Sequence, residues 1–296
     1  MRLATLRPDH PGDAQRAVVV TAERVLDCGR LLGASTSASM LELARSPSLL
    51  QGLRVAAGLC EASRNATIGS LDEVTLAAPI PDPGKVIAIG LNYIDHAAES
   101  GAHVPTEPLV FAKFSSAIIG PGAPITWDLA VTDAVDYEAE LAVIIGRLAR
   151  NVNPARALDH VFGYTCLNDV SARDLQFGDG QWVRGKSLDT FCPMGPWIVT
   201  ADEIADPQTL GIECIVAGDT LQRATTADMY FGVADLIARL SAAFTLEPGD
   251  VIATGTPPGV GWFREPRRLL RHGDEVVVAI DAIGELHNPV VIADGR

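Results

Sequence analysis

The sequence predicts a β-rich α+β fold with a small α/β appendage at its N-terminus. Short apolar runs separated by turns fill most of the chain after Gly84, while helical spacing is confined to a few segments. A proline-rich stretch at residues 78–84 suits neither a helix interior nor a central strand, so we place a domain boundary there. We expect a small domain over residues 1–80 and a main domain over residues 84–296.

The N-terminal segment combines a predicted hairpin with predicted helices. A β-branched run within residues 17–32 precedes the turn-like triplet Asp27-Cys28-Gly29, which predicts a hairpin. Ser46 and Pro47 have the character of an N-cap and first helical residue, and leucines and alanines then recur at helical spacing. We find no catalytic signature in this segment.

The main domain is predicted to consist of short strands and two helices. The helices are expected at residues 94–100 and 233–244, and the second has Leu236, Ile237 and Leu240 on one face. The predicted strands are residues 86–89, 109–111, 141–145, 197–199, 251–253 and 275–280.

Composition and charge exclude several classes of function. The chain has 296 residues, of which 48% are hydrophobic and 20% charged, enough apolar material for a core and unlike a disordered protein. It carries 23 Lys and Arg against 37 Asp and Glu, a net charge of −14. Such a field repels phosphate backbones and anionic lipid surfaces, so we expect neither a nucleic-acid nor a membrane partner.

Cysteine usage and hydropathy predict a cytoplasmic protein. The five cysteines are an odd number without Cys-x-x-Cys spacing, which indicates reduced thiols rather than a disulfide framework or zinc ribbon. No stretch approaches the roughly 18 apolar residues of a membrane span, and no apolar targeting segment follows the first residues.

An acidic pair leads into a strongly apolar strand. Glu138 and Glu140 are two residues apart and therefore project from one strand face. Two adjacent carboxylates entering a buried sheet repel each other unless a cation lies between them. A hard divalent ion, Mg²⁺ or Mn²⁺, would explain the pair, since no His or Cys accompanies it. An edge strand with both carboxylates in water is the alternative, and the pair alone leaves both open.

Asp169 is a candidate third carboxylate. It follows the apolar run at residues 161–167, and three protein carboxylates would leave an octahedral ion three positions for substrate and water. By itself Asp169 is better explained as the N-cap of a helix over residues 170–175.

His96 and Glu99 form a candidate proton-transfer pair. They are three residues apart and share a helical face, so Glu99 can orient the imidazole and stabilise its charged form as a general base. A surface ion pair is the alternative.

Two glycine-containing segments invite comparison with anion sites. Residues 180–187 match the P-loop pattern, but no apolar strand precedes them and bulky residues such as Trp182 would obstruct an anion nest, so a nucleotide site is not expected. Lys186 in this segment remains a candidate cation for another site. In the glycine-rich loop at residues 254–261, backbone N–H groups and the Thr256 hydroxyl would suit a carboxylate.

These segments resemble the fumarylacetoacetate hydrolase family. The resemblance rests on residues 85–99, 136–146, 163–176, 185–196 and 248–259, which occur in the family's order, and it covers about residues 85–291. It implies a catalytic domain built as a mixed β-roll or sandwich, and a homodimer.

The resemblance also implies roles for individual residues. The metal ligands for Mg²⁺ or Mn²⁺ would be Glu138, Glu140 and Asp169, and the catalytic residues would be His96, Glu99 and Lys186. The substrate contacts would be Arg173, Gln176 and Thr256.

The implied reaction is hydrolysis of a carbon–carbon bond in an acylpyruvate or related β-diketo acid. A fumarylpyruvate-like compound or a diketo-deoxy sugar acid would yield pyruvate and a carboxylic acid through a metal-bound enolate. The same enolate chemistry would also serve an oxaloacetate-type decarboxylase or a 2-hydroxydienedioate isomerase. A P-loop nucleotide hydrolase and a non-catalytic binding protein are the alternatives from other classes. In all family-based interpretations the substrate is a small anionic keto acid.

Overall fold

Strands dominate the chain, and helices connect them. The computed structural model describes residues 1–8, 10, 14–33 and 38–293. The strands are β1 (Arg2–Leu6), β2 (Arg16–Val20), β3 (Val25–Asp27), β4 (Thr67–Gly69), β5 (Leu76–Ala77), β6 (Val86–Gly90), β7 (Leu109–Lys113), β8 (Ile118–Ile119), β9 (Ile125–Asp128), β10 (Val135–Asp136), β11 (Ala139–Ile145), β12 (Val161–Asn168), β13 (Ser171–Ala172), β14 (Cys192–Thr200), β15 (Gly211–Val216), β16 (Asp219–Thr225), β17 (Val251–Ala253), β18 (Glu275–Ile280) and β19 (Gly284–Ala293). The helices are α1 (Cys28–Leu31), α2 (Met40–Arg45), α3 (Pro47–Ala57), α4 (Cys60–Ala66), α5 (Ile94–Glu99), α6 (Arg173–Gly178), α7 (Val183–Lys186) and α8 (Val233–Ala243). Short 3₁₀ helices lie at Leu71–Glu73, Ser115–Ala117, Pro154–His160, Ala201–Glu203, Thr226–Asp228 and Gly261–Phe263.

The N-terminal hairpin is present, but its turn is not where the sequence predicted it. β2 and β3 pair antiparallel with Val20 opposite Val25. The chain reverses at Thr21, whose hydroxyl accepts the Arg24 N–H at 2.9 Å. Asp27 instead caps α1 by accepting the Arg30 N–H at 3.0 Å, so the turn predicted at Asp27-Cys28-Gly29 was wrong.

The helix start predicted at Ser46 is confirmed. Its hydroxyl accepts the Leu49 N–H at 3.4 Å, and Pro47 occupies the first helical position of α3. The amphipathic helix is also confirmed as α8, in which Leu236, Ile237 and Leu240 are buried. It ends at Ala243, one residue earlier than predicted.

A twelve-stranded sheet connects the N-terminal segment with the rest of the chain. Its order is β4-β3-β2-β1-β14-β12-β11-β17-β6-β7, with β5 beside β1 and β8 beside β14. β1 pairs antiparallel with β14, where Leu3 lies opposite Ile198, and both side chains belong to one apolar cluster. The segments before and after residues 78–84 therefore share a sheet and a core. The domain boundary there stays a prediction.

A second sheet completes the β-rich α+β fold. It has the order β16-β15-β18-β19-β9 and packs through β15 and β18 against β11 and β12 of the large sheet. The main core lies between them, with Leu141 and Val143 of β11 in the same cluster as Ile212 of β15 and Val278 of β18. The predicted fold class is confirmed. Among the described residues, no helix has the length and apolar character needed to cross a bilayer.

The order of the central strands brings the candidate residues together at one end of these strands. β17 pairs parallel with β6, so the C-terminal ends of both strands lie there. β11 runs antiparallel to β12 and β17, so it begins where they end. All seven residues of β11 are buried between two neighbours, and the edge-strand alternative for Glu138 and Glu140 was wrong.

Candidate active site

Three carboxylates meet where β11 begins and β12 ends. Glu138 directly precedes β11, Glu140 is its second residue, and Asp169 directly follows β12. The Asp169 N–H donates to the Glu138 carbonyl at 2.9 Å, and one carboxylate oxygen from each residue lies within 4.8 Å of the others. All three are buried. The N-cap alternative for Asp169 was wrong, because α6 begins at Arg173 with Ala172 as its N-cap.

The electrostatics of these carboxylates fit a hard divalent ion. Burial, together with Asp169 and Glu138, raises the pKa of Glu140, although the Gly255 N–H donates to it at 2.9 Å. Burial also acts to raise the pKa of Glu138, but Lys186 and Arg173 overcome it and lower that pKa to about 2. Glu140 therefore resists ionisation beside the two other carboxylates, and a cation between the three groups would remove that resistance. Carboxylate oxygens are the donors that Mg²⁺ and Mn²⁺ prefer.

Lys186 at the end of α7 lies against two of these carboxylates. Its ammonium donates to Glu138 Oε2 at 2.7 Å and to Asp169 Oδ2 at 2.8 Å. The pKa of Lys186 is raised because these two carboxylates outweigh the effect of burial. The P-loop-like segment that contains Lys186 lies between α6 and the end of α7, not after a strand, so the structure agrees with the rejection of a nucleotide site.

Arg173 and Gln176 lie together on α6, one turn apart. The Arg173 guanidinium pairs with Glu138 Oε1 at 2.7 Å, donates to Asp136 Oδ2 at 2.8 Å, and donates to Gln176 Oε1 at 2.9 Å. Burial opposes its charge, but Asp136 and Glu138 keep the pKa of Arg173 raised. These two of the three predicted substrate contacts therefore face the site, while the arginine is also engaged with protein carboxylates.

Lys113 is a buried cation of the site that the sequence reasoning missed. It ends β7, and its ammonium donates to Asp169 Oδ1 at 2.5 Å, to the Val170 carbonyl at 3.4 Å and to the Lys186 carbonyl. Its side chain has no exposed surface. The only sequence signal was a lysine at the end of an apolar strand, 56 residues before its partner carboxylate.

We expect Lys113→Met to lower the free energy of unfolding of the metal-free protein by about 3 kcal/mol, because buried Asp169 loses one of its two cations. Urea denaturation would measure this difference. Arg156→Met is the control, since Arg156 pairs with Asp159 on the surface at 2.5 Å and its loss should leave the urea midpoint unchanged. A Lys113→Met midpoint equal to that of the parent would contradict the structural role.

The His96–Glu99 pair forms on α5 as predicted. His96 Nδ1 lies 3.2 Å from Glu99 Oε2, and His96 is 6% exposed, so the surface-pair alternative was wrong. The Glu99 carboxylate also accepts the Gly259 N–H at 3.0 and 3.1 Å. Glu99 is thus held from both sides, and His96 Nε2 is the ring nitrogen left for other chemistry.

The glycine-rich loop after β17 binds the protein's own carboxylates. In addition to the contact with Glu99, the Gly255 N–H donates to Glu140 at 2.9 Å and the Gly261 N–H donates to Asp136 at 2.7 Å. The expectation that these N–H groups receive a ligand carboxylate was therefore wrong for these three donors. They instead hold three carboxylates of the protein in place. These belong to Glu140, a metal-ligand candidate, to Glu99, the partner of His96, and to Asp136, the partner of Arg173.

Thr256 lies in the same loop, where its hydroxyl donates to the Ala139 carbonyl at 2.9 Å and accepts from Gln222 Nε2 at 2.8 Å. Gln222 in turn accepts the Ala139 N–H through Oε1 at 2.9 Å, so it braces the start of β11. Gln222 was also missed by the sequence reasoning, because it lies on β16, far along the chain from β11.

A cavity of about 330 Å³ joins these groups. Its charged and polar lining residues are His96, Glu138, Arg173, Gln176, Lys186, Thr256 and Ser100. Its apolar lining residues are Ile89, Gly90, Leu91, Ala102, Phe111, Phe177, Trp182, Trp262 and Phe263. Of the nine predicted site residues, Glu99, Glu140 and Asp169 lie behind this lining, in contact with His96, the glycine-rich loop and Lys186 respectively.

Comparison with known proteins identifies the family of this chain. A family model described as fumarylacetoacetate (FAA) hydrolase C-terminal matches residues 85–291. The chain belongs to the fumarylacetoacetate hydrolase family. Family membership makes it an enzyme and confirms the resemblance found in the motifs.

Two curated relatives of this chain are named oxaloacetate tautomerases. The chain is 50% identical over 229 residues to mitochondrial oxaloacetate tautomerase fahd2 of Xenopus laevis, covering 77% of this chain and 72% of the relative. It is 48% identical over 224 residues to oxaloacetate tautomerase YisK of Bacillus subtilis (strain 168), covering 75% and 74%. The cytoplasmic location stays a prediction, since several such relatives carry the word mitochondrial in their names.

Solved family members share the whole fold. A fumarylacetoacetate hydrolase from Exiguobacterium antarcticum is 38% identical with a TM-score of 0.83, covering 99% of this chain and 100% of the other. Maleylpyruvate hydrolase from Sphingobium sp. SYK-6, in complex with manganese(II) and pyruvate, is 37% identical with a TM-score of 0.80 and the same coverage. A divalent metal is therefore found in a relative, and this chain has the acidic cluster to hold one. The homodimer stays a prediction.

Proposed function

We propose that this enzyme catalyses the keto–enol tautomerisation of oxaloacetate with the help of a divalent metal. The observation that carries the proposal is the identity of about one half, over three quarters of the chain, to relatives named oxaloacetate tautomerases. The maleylpyruvate hydrolase is less similar, at 37% identity. Carbon–carbon bond hydrolysis, the leading expectation from the sequence, thus becomes the second candidate. The names of the relatives favour the sequence-based alternative of enolate chemistry on oxaloacetate, although the sequence predicted decarboxylation or isomerisation and not tautomerisation.

Tautomerisation requires little more than a proton carrier and a place for negative charge. One proton moves between C3 and the C2 oxygen, while the electron pair shifts along the C3–C2–O unit, and no carbon–carbon bond breaks. Glu138, Glu140 and Asp169 would hold the Mg²⁺ or Mn²⁺ ion. When bound, that ion supplies positive charge that polarises the 2-oxo group and its neighbouring carboxylate.

His96 is the proton carrier in this proposal. Glu99 holds Nδ1 and stabilises the imidazolium, so Nε2 can take a proton from substrate carbon and return it to oxygen. Because Gly259 fixes the Glu99 carboxylate, the ring orientation is set before substrate arrives.

Lys186 and its neighbours provide charge and orientation. The Lys186 ammonium has three N–H donors, of which two serve Glu138 and Asp169, leaving one for developing charge on the substrate oxygen. Gln176 adds an amide to the cavity wall. Thr256 also lines the cavity, but its hydroxyl donates to Ala139 and accepts from Gln222 and so has no proton left for substrate. The substrate would therefore be a small anionic 2-oxo acid.

Hydrolysis of an acylpyruvate is the second candidate. It is favoured by the likeness to the maleylpyruvate hydrolase solved with manganese(II) and pyruvate. The same His96–Glu99 pair would then deprotonate a water molecule instead of substrate carbon. Oxaloacetate decarboxylation and isomerisation of a 2-hydroxydienedioate remain further variants of the same chemistry.

The proposal is tested by comparing reactions in one preparation with Mg²⁺ or Mn²⁺ added. Enol absorbance would follow oxaloacetate tautomerisation, pyruvate release would follow decarboxylation, and loss of diketo absorbance would follow cleavage of a panel of acylpyruvates. We expect tautomerisation to have the highest kcat/KM and to disappear after chelation. A higher kcat/KM for acylpyruvate cleavage would reject the proposal in favour of the hydrolase, and full activity after exhaustive chelation would reject both.

A further inference from the structure

Five aromatic side chains border the active-site cavity, and we call them the aromatic wall. They are Phe111, Phe177, Trp182, Trp262 and Phe263. They form two groups. Phe177 lies 5.7 Å from Trp262 and 6.4 Å from Phe263 between ring centroids, and Phe111 lies 5.4 Å from Trp182.

Each group of rings adjoins one of the residues that carry the chemistry. The Phe263 ring centroid lies 6.4 Å from that of His96, and the Lys186 ammonium lies 5.3 Å from the centroid of Phe111. A ligand held at Lys186 and His96 would therefore extend along aromatic surface. The rings offer a ligand a large apolar contact area, and ordering these side chains on binding costs little conformational entropy.

The charged groups of the cavity are confined to the chemical end. The cations among its lining residues are Arg173 and Lys186, and both pair with Glu138. The aromatic wall carries no charge. The Arg267 guanidinium lies 3.7 Å from the Trp262 ring centroid, and Lys186 lies beside Phe111. A planar apolar group would find its stacking partners at Phe177 and Trp182.

The size of the cavity supports the same conclusion. At about 330 Å³ it falls in the range of pockets that enclose ring-containing ligands. Oxaloacetate has only four carbons and leaves much of the aromatic wall uncovered. Phe177 is 50% exposed, so substrate would bury apolar surface that water now reaches.

We propose that the enzyme also tautomerises arylpyruvates, 2-oxo acids whose C3 carries an aromatic ring, with that ring packed on the aromatic wall. The inference rests on the proposed function, because the proton again moves between C3 and the C2 oxygen and nothing else is consumed or released. The 2-oxo acid end occupies the same place as in oxaloacetate, and Phe177 and Trp182 determine the preference for the ring.

Activity and binding test the proposal separately. Phenylpyruvate is the reactive probe, followed by its enol absorbance with Mn²⁺ present and corrected for the uncatalysed rate. Benzoylformate, an aryl 2-oxo acid without a C3 hydrogen, is the unreactive probe. We expect benzoylformate to bind the Mn²⁺-loaded protein at least tenfold more tightly than pyruvate, measured by calorimetry, because only benzoylformate brings a ring to the wall.

Variants assign the effect to the wall. We expect Phe177→Ala and Trp182→Ala each to lower the ratio of kcat/KM for phenylpyruvate to that for oxaloacetate by about tenfold. Phe114→Ala is the matched control, since Phe114 is 57% exposed and lies outside the cavity lining, and it should keep the parent ratio.

The possible outcomes are distinct. If the enzyme tautomerises oxaloacetate but neither tautomerises phenylpyruvate nor binds benzoylformate preferentially, this inference is overturned and the proposed function stands. Phenylpyruvate turnover with an unchanged ratio in both variants would overturn the role of the wall. If neither substrate is tautomerised, the proposed function and this inference both fail. Preferential benzoylformate binding that is lost in Phe177→Ala would then show only that the aromatic wall binds a ring.

Discussion

Glu140→Gln should abolish metal retention and lower turnover by about a thousandfold while leaving the metal-free fold intact. The ion's contribution to such reactions amounts to several kcal/mol, and each 1.4 kcal/mol is about a factor of ten in rate. The fold is expected to survive because burial and the neighbouring carboxylates raise the pKa of Glu140, so they oppose its charge in the metal-free protein and a neutral amide avoids that penalty. A glutamine carbonyl can still accept the Gly255 N–H.

Metal content after dialysis, the urea midpoint of the metal-free protein and kcat/KM together check this prediction. Asp169→Asn makes an informative comparison, because Lys113 and Lys186 would lose their shared counter-ion and the metal-free protein should also become less stable. Glu285→Gln, which removes an exposed carboxylate, is the control and should match the parent. Mn²⁺ retention by Glu140→Gln at the parental level would show that the acidic cluster is not the metal site.

His96→Ala should lower the rate of tautomerisation by about 10²- to 10⁴-fold without loss of bound metal, since general acid–base catalysis contributes effects of this size. Glu99→Gln should have a smaller effect, because the imidazole remains but its charged form loses a partner. Enol absorbance measures the rate, and metal content measures whether the site remains intact.

The same variants separate the candidate reactions. Hydrolysis and tautomerisation both need the base, whereas decarboxylation of a keto acid can proceed without it. Retained pyruvate release from oxaloacetate in His96→Ala, with tautomerisation lost, would therefore identify decarboxylation as independent of the His96–Glu99 pair. His160→Ala is the control, because His160 lies outside the cavity lining. Parental tautomerisation in His96→Ala would show that the proton carrier is another group.

Local spacing was the most reliable guide to the site. Glu138 and Glu140 share a face because a strand alternates sides, and His96 and Glu99 meet because a helix turns once in about 3.6 residues. The limits of β17 and β18 were predicted to the residue for the same reason, as both are short apolar runs between turns. The turn at Asp27 failed where one side chain had two local uses, turn and helix cap, with similar sequence signals.

Long-range partners could not be predicted. Arg173 meets Asp136 across 37 positions, and Lys113 meets Asp169 across 56. The sequence shows that the glycine-rich loop has backbone N–H groups. It does not show which carboxylates accept from them, because that depends on which strands and helices end beside the loop. The resemblance to a family named the roles of nine residues without showing that three of them lie behind the cavity lining.

The sequence by itself determined the β-rich α+β class, the acidic and histidine-containing motifs, and the family. Only the tertiary structure decided which cation neutralises which carboxylate and which rings border the cavity. The physical reason is that side chains within one strand or helix turn are placed by backbone periodicity, whereas contacts between elements depend on strand order and register. Here β6 and β17 end where β11 begins, and that arrangement joins five separate segments into one site.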